Sequence, residues 1–362
     1  MTRRRNTAGW MSALLAVAAA CAASCGDTTS IEIRGPGQPG VLGAAADAPA
    51  VRPTDALAAG EAGMLWVGTG EKRGARAWSP TAGWRAIAPP DVRLDAATGT
   101  PTEDGYFVTG VVCDKAGDDG CGFGHLVAYE FRSATQRWSQ LDVGERGKSS
   151  AKGAASSGVS VGGSTIAVGT ELLHLEDGSV VMTSPANADK SSYCALAGGF
   201  VTVGALDSEM DPVPLRMSDA NGRALRVDAA AEEVGGPLAA QCTEVGPVLG
   251  PAQRPGSDVF VVRPEGEPWD RYESPVQGTM LGAAGDSTGI SVVMMPTPRF
   301  DEGGLPVFET AVVLYEKGNS GGHVVSLPGN PGLRVVRAAG STFVYGATAD
   351  DNTPSPIAEV KG

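Results

Sequence analysis

Beyond Cys25 the sequence has no uninterrupted apolar stretch of about 18 residues, the least a helix needs to cross a bilayer. Any membrane attachment of the body would therefore be through acyl chains. Basic residues are in short supply too: 28 lysines and arginines stand against 41 aspartates and glutamates, a formal net charge of −13. That balance repels phosphate backbones and anionic lipid surfaces, which argues against nucleic acid as a partner. Histidine is scarcer still, with only His125, His174 and His323. His174 alternates with Leu173 and Leu175, as ordinary half-buried strand packing would place it.

What is present begins at the N-terminus. Arg3, Arg4 and Arg5 precede an apolar run from Trp10 to Ala20 and then small residues, the layout of a secretory signal peptide. The segment Ala22-Ala23-Ser24-Cys25 resembles a bacterial lipobox, with Ala22 where a branched aliphatic residue is usual. The resemblance implies a lipoprotein signal peptide over 1–24, acylation of Cys25, and a protein exported to the extracytoplasmic side of a cell-envelope membrane. An ordinary secreted protein cut near the same place is the alternative. Cysteine parity favours the lipoprotein: losing Cys21 and lipidating Cys25 leaves Cys113, Cys121, Cys194 and Cys242, an even set suited to an oxidising compartment. Removing residues 1–24 takes away three arginines and moves the net charge from −13 to −16. Residues 25–53 contain GPGQPG and AAADAPAVRP, lack an apolar period and are expected to form a flexible tether. Within them Ser30–Arg34 alternates apolar and polar residues like a strand.

A short phrase recurs through the remainder. AGMLWVG, GYFVTG, GSTIAVG, GFVTVG, GPVLG, GISVVM and GSTFVYG end at residues 68, 110, 169, 204, 250, 294 and 346. Such a spacing matches propeller blades of roughly 40 to 50 residues. Small-residue segments such as LAAG, YCALAGG, LGAAG and VVRAAG precede several copies, as converging inner strands would need. ELLHLEDGSVVMTS then reads as a third strand, a tight Asp177-Gly178 turn and a fourth. The expected fold is all-β: a seven-bladed β-propeller of four-stranded antiparallel blades over 54–362, with an irregular two-sheet β-sandwich as the alternative. The seventh unit runs out after PIAEVKG, so a strand at Ser30–Arg34 is expected to complete it.

AWSPTAGW, FRSATQRW and VRPEGEPW each place a tryptophan (Trp84, Trp138, Trp269) seven residues after Ala77, Phe131 and Val262. In this the chain resembles the kelch family of propellers, to which the central domain of galactose oxidase belongs, although most units carry one glycine where kelch repeats have two. The copper site of that enzyme needs two histidines and a cysteine-linked tyrosine, and no such set is recognisable. SPTAGW at 79–84 touches the sialidase turn but holds Thr81 at its aspartate position.

Two acidic features remain. Cys113 and Cys121 bracket DKAGDDG and are expected to bond locally, and Asp114, Asp118 and Asp119 between them are candidate ligands for a divalent cation, the one cofactor considered. Cys194 and Cys242 lie about one blade apart in inner strands and are expected to bond across adjacent blades. The second-to-third connections of a meander share one face, and here they hold 13 acidic and 5 basic residues. Asp207, Glu209, Asp211, Asp301, Glu302, Asp350 and Asp351 are its candidate binding residues. The face reads either as a solvated rim or as a docking surface for a basic protein, an envelope glycan or divalent cations. The function expected is a propeller-type binding or scaffolding module with no identified catalysis. The alternative is a carbohydrate-active, sialidase-like hydrolase or lyase on the same scaffold.

Overall fold

The recurring glycine has a steric origin. GMLWVG forms the second strand (Gly63–Gly68) of an antiparallel sheet with Ala56–Gly60, Gly74–Ser79 and Gly83–Ile87. A Cβ on Gly63 would lie 2.0 Å from the carbonyl oxygen of Trp78 in the third strand, and Gly105 and Gly289 meet the carbonyls of Phe131 and Tyr315 at the same distance. No side chain fits there, so each of these second strands begins with glycine.

The computed structural model describes residues 38–39, 41–44, 47–117, 120–143, the strands named below between 159 and 219, 238–251, 256–263, 267–296, 299–300, 302–304, 306–307, 309–328, 333–346 and 354–361. Among them antiparallel meander units follow one another, numbered in chain order. The second unit comprises Ala96–Thr102, Gly105–Gly117, Gly120–Arg132 and Arg137–Leu141, and the third Val159–Gly162, Thr165–Val168, Glu171–Glu176 and Ser179–Thr183. Three strands of the fourth are described: Ser192–Leu196, Gly199–Val203 and Arg216–Asp219. The fifth (Leu238–Thr243, Gly246–Pro251, Gly256–Val261) and the sixth (Gly289–Pro296, Glu309–Glu316, His323–Pro328) are joined in one sheet by the 17-residue strand Asp270–Asp286. Its beginning pairs with the third strand of unit five and its end with Gly289–Pro296, so it is the outer strand of one unit and the inner strand of the next. The seventh holds Leu333–Ala338, Ser341–Gly346 and Ala358–Lys361.

Each unit's inner strand packs on that of the next, and Leu333–Ala338 returns onto Ala56–Gly60. The fold is therefore an all-β propeller of antiparallel sheets. Small side chains let the inner strands converge: Ala56, Ala58, Ala97 and Ala283 are all buried. The core lies between units. Leu65, Val67, Tyr106, Val108 and Phe131 fill the first junction, Val248, Val261, Tyr272, Ile290 and Tyr315 the fifth, and Val293, Val312, Leu327, Val335 and Val344 the sixth. Trp78 meets Phe343 edge-on at 5.0 Å between units one and seven.

Closure by the beginning of the chain is present, but with other residues than expected. Val41–Ala44 pairs antiparallel with Ala358–Lys361 as the outer strand of unit seven, while Ser30–Arg34 lies outside the described residues. Gln38–Pro39 also pairs in parallel with Val325–Ser326 on unit six, and Ala50–Val51 with Ser355–Pro356. Part of the segment expected as a free tether over 25–53 is thus held in sheets, because an open outer edge on unit seven offers unpaired backbone groups that only another strand satisfies. No helix among the described residues is long and apolar enough to cross a membrane.

Candidate functional site

The segment in which Cys113 and Cys121 bracket DKAGDDG is carried on a long antiparallel β-ribbon. Gly105–Gly117 and Gly120–Arg132 stay paired well past the ends of their neighbours, since Ala96 stops opposite Val111 and Leu141 opposite Ala128. KAG and GCGFGH pair with one another there, Cys121 opposite Ala116 and Phe123 opposite Lys115, so each strand of the arm is the other's partner. Asp95, just before the inner strand, anchors the base of this arm by accepting the Cys113 N–H at 2.8 Å. Asp55 does the same in unit one, accepting Thr69 N–H and Oγ1 at 2.9 Å, Trp66 Nε1 at 3.2 Å and Arg52 N–H at 3.0 Å. An Asp before the inner strand (TDAL, LDAA) is a repeat signal the sequence carried and our reading of it missed.

On the arm, Asp114 is exposed and its carboxylate sits 3.0 Å from His125 Nδ1. Below it an open groove of about 650 Å³ is lined by Asp114, His125, Leu126, Gln140, Asp142 and neighbouring residues. Its lining combines apolar Leu126, Val127, Leu141 and Val143 with acidic Asp114 and Asp142, an arrangement able to receive a cationic side chain on an extended segment. Cys113 is disulfide-bonded, and Cys121 lies on the facing strand of the arm.

The ring encloses a narrower central cavity of about 180 Å³ between the inner strands of units one, two, five, six and seven. The Cys194–Cys242 disulfide, with Cα atoms 5.4 Å apart, joins the inner strands of units four and five, and Cys242 lines the cavity. This bond fits an oxidising, extracytoplasmic setting. Glu244 follows it at the first-to-second turn. As a residue it is exposed at the rim, but its Oε2 lies 2.8 Å from where a Cβ on Gly60 would stand, folded over unit one. Burial raises this carboxyl to about 7, an N–H from Glu61 pulls it down, and the charges of Glu61 and Asp286 push it up. Burial also lifts the neighbouring Tyr106 phenol, with Glu244 adding to it.

Asp286 and Arg337 are locked into the structure at the sixth junction. Asp286 accepts from Arg337 Nε at 2.8 Å, from Thr288 N–H and Oγ1, and from Gly340 N–H. Burial alone would raise its carboxyl, yet the Thr288, Arg337 and Gly340 hydrogen bonds and the Arg337 charge hold it below the usual aspartate value.

Among the other expected residues, Glu302 is exposed in the 297–308 connection, which carries a two-stranded ladder of Arg299–Phe300 with Pro306–Val307. Asp118, Asp119, Asp207, Glu209, Asp211, Asp301, Asp350, Asp351 and Cys25 lie outside the described residues. Among the described residues no three acidic, histidine or cysteine side chains are grouped to hold a metal.

No family model matches the chain, and no curated protein matches it. Solved structures similar to it include YjhT, at 11% identity and a TM-score of 0.42, covering 88% of this chain and 99% of that one. A subtype N11 neuraminidase-like protein of A/flat-faced bat/Peru/033/2010 (H18N11) gives 11% identity and a TM-score of 0.37 over 90% of this chain and 93% of that one. A GH43 protein, BlXynB of Bacillus licheniformis, gives 8% and 0.33 over 89% and 91%. The fold assignment rests on the strand pairing and the cyclic order of the inner strands.

Proposed function

We propose that this protein is an exported, lipid-anchored, seven-bladed propeller of kelch-like rhythm that serves as a binding or scaffolding module of the cell envelope. The observation that carries the reading is the two-stranded arm of unit two, which projects from the face of the second-to-third connections beside a groove lined in part by Asp114 and Asp142. A partner with a basic segment suits that charge. Entry of the chain at the other face supports the same arrangement. Val41 pairs with Lys361, the end of the third strand farthest from its second-to-third connection. The test is crosslinking and copurification from solubilised envelopes with the intact protein, a Cys25→Ser variant, and a variant whose residues 112–124 are replaced by a two-residue turn. The reading expects loss of membrane association in the second and loss of a salt-sensitive partner in the third; unchanged partners without the arm would overturn it.

A second reading, a carbohydrate-active hydrolase, is favoured by one observation: a carboxyl near neutral pKa at the mouth of the cavity, the property of a general acid. It predicts glycan hydrolysis that Glu244→Gln abolishes.

A further inference from the structure

At the junction of the first and last units lies a third cavity, of about 310 Å³, near the lower end of the roughly 300–1,000 Å³ typical of small-molecule sites. Trp66 and Arg76 face each other directly across the second and third strands of unit one, so both project from the same side of that sheet. Arg52 and the buried Asp55 complete one wall, and Pro49 and Pro354 belong to the segments that bridge units one and seven. Both arginines are half-buried, and neither is in an ion pair with a carboxylate among the described residues. Among the described residues Arg76 donates to the backbone carbonyl of Asp47, at 2.5 Å. Asp55 has both oxygens occupied, by Thr69, Trp66 and the Arg52 N–H. In a chain of net charge −13, two half-buried guanidiniums beside an indole, with no carboxylate partner among the described residues, are costly to keep.

We propose that this cavity binds a small organic monocarboxylate built on a six-membered ring. The carboxylate would take the guanidinium donors, for which a planar fork is suited, and the ring would lie against Trp66 between the two prolines. An acidic sugar and an aromatic acid share this chemistry. Because the walls come from residues 48–50, 52, 55, 66, 76 and 354, the ligand would clasp the two ends of the described chain together.

The experiment is calorimetric titration of the intact protein with D-glucuronate and with benzoate, beside their neutral counterparts glucose and benzyl alcohol. The expected result is binding of at least one acid, none by its neutral counterpart, and weakening by about tenfold or more in Arg76→Gln and Arg52→Gln. Which acid binds identifies the source. Should Arg76→Gln fail to fold, Arg76→Lys keeps the charge without the fork and is expected to bind more weakly than the native protein. Absence of heat with both acids up to about 10 mM, where even a millimolar site is largely filled, would overturn the proposal. So would equal binding of a neutral counterpart, or unchanged affinity in the arginine variants.

Discussion

The Nε of Arg337 lies 2.8 Å from Oδ1 of Asp286 across the junction of the sixth and seventh units, with the two side chains 7% and 0% exposed. Ser291, Thr288 and Thr342 accept the remaining guanidinium donors, so the pair is satisfied on all sides. Removing one member of such a pair leaves a buried charge alone, at about 3–5 kcal/mol. Arg337→Leu is therefore expected to lower stability in urea unfolding by that amount, and a loss below about 1 kcal/mol would show that the pair does not fasten the two units. Because Asp286 is held below its unfolded value, its contribution is full above that unfolded value, about 3.9, and is lost as pH falls through the lower folded one. The variant should show a weaker acid-side dependence, since the Thr288 and Gly340 hydrogen bonds to Asp286 remain.

Glu244 gives the opposite sign. Its folded carboxyl titrates near 7, above the ordinary glutamate value of about 4.3, so between these pH values the folded state holds more protons than the unfolded one. Stability is expected to decline as pH rises through this window and then level off. Melting temperatures of the native protein and Glu244→Gln across pH 4 to 8 read it, flatter in the variant; parallel curves would assign the slope to other groups. Rim exposure of the residue dilutes the effect through solvent screening.

The architecture was legible because propeller geometry writes itself locally. A glycine must begin each second strand where a carbonyl of the third leaves no room, and small residues must line the inner strands, so Gly63, Gly105 and Ala58 carry the rhythm in the sequence. The Cys194–Cys242 bond follows from the same register. The arm of unit two was not legible, because strand pairing past Val111 depends on a partner segment rather than on an apolar period. Nor were Arg337 with Asp286, 51 residues apart, or Glu244 over Gly60, since the first pair meets only when units six and seven stack and the second only when the ring closes. Val41–Ala44 hides as a strand because the sequence VLGA offers no alternation, and its role comes from the edge it covers.

The disulfide between Cys194 and Cys242 closes 48 residues, which in the loop-entropy model constrains the unfolded chain by about 4 kcal/mol. A Cys194→Ser, Cys242→Ser double variant is expected to lose stability of that order in denaturant unfolding. Peptide mapping without reduction should recover 194 joined to 242 and 113 joined to 121. A bond from 113 to 194 or 242 would contradict both the pairing and the order of the units.

The last prediction concerns the strand that joins the two ends of the chain. Ala358–Lys361 is four residues long and has Ser341–Gly346 on one side and Val41–Ala44 on the other. A chain starting at residue 36 keeps both the Gln38–Pro39 and Val41–Ala44 pairings, whereas one starting at residue 46 exposes the outer edges of units six and seven. Exposed edges offer unpaired N–H and C=O groups to other chains, so the shorter protein should melt several degrees lower and self-associate with rising concentration. Leu42→Pro in the longer chain tests the same contact without truncation, because Leu42 is opposite Val360 and proline has no N–H to give the ladder. Calorimetry and size-exclusion chromatography at several concentrations read both effects. A chain from residue 46 that stays monomeric with an unchanged melting temperature would mean that unit seven closes without its N-terminal strand.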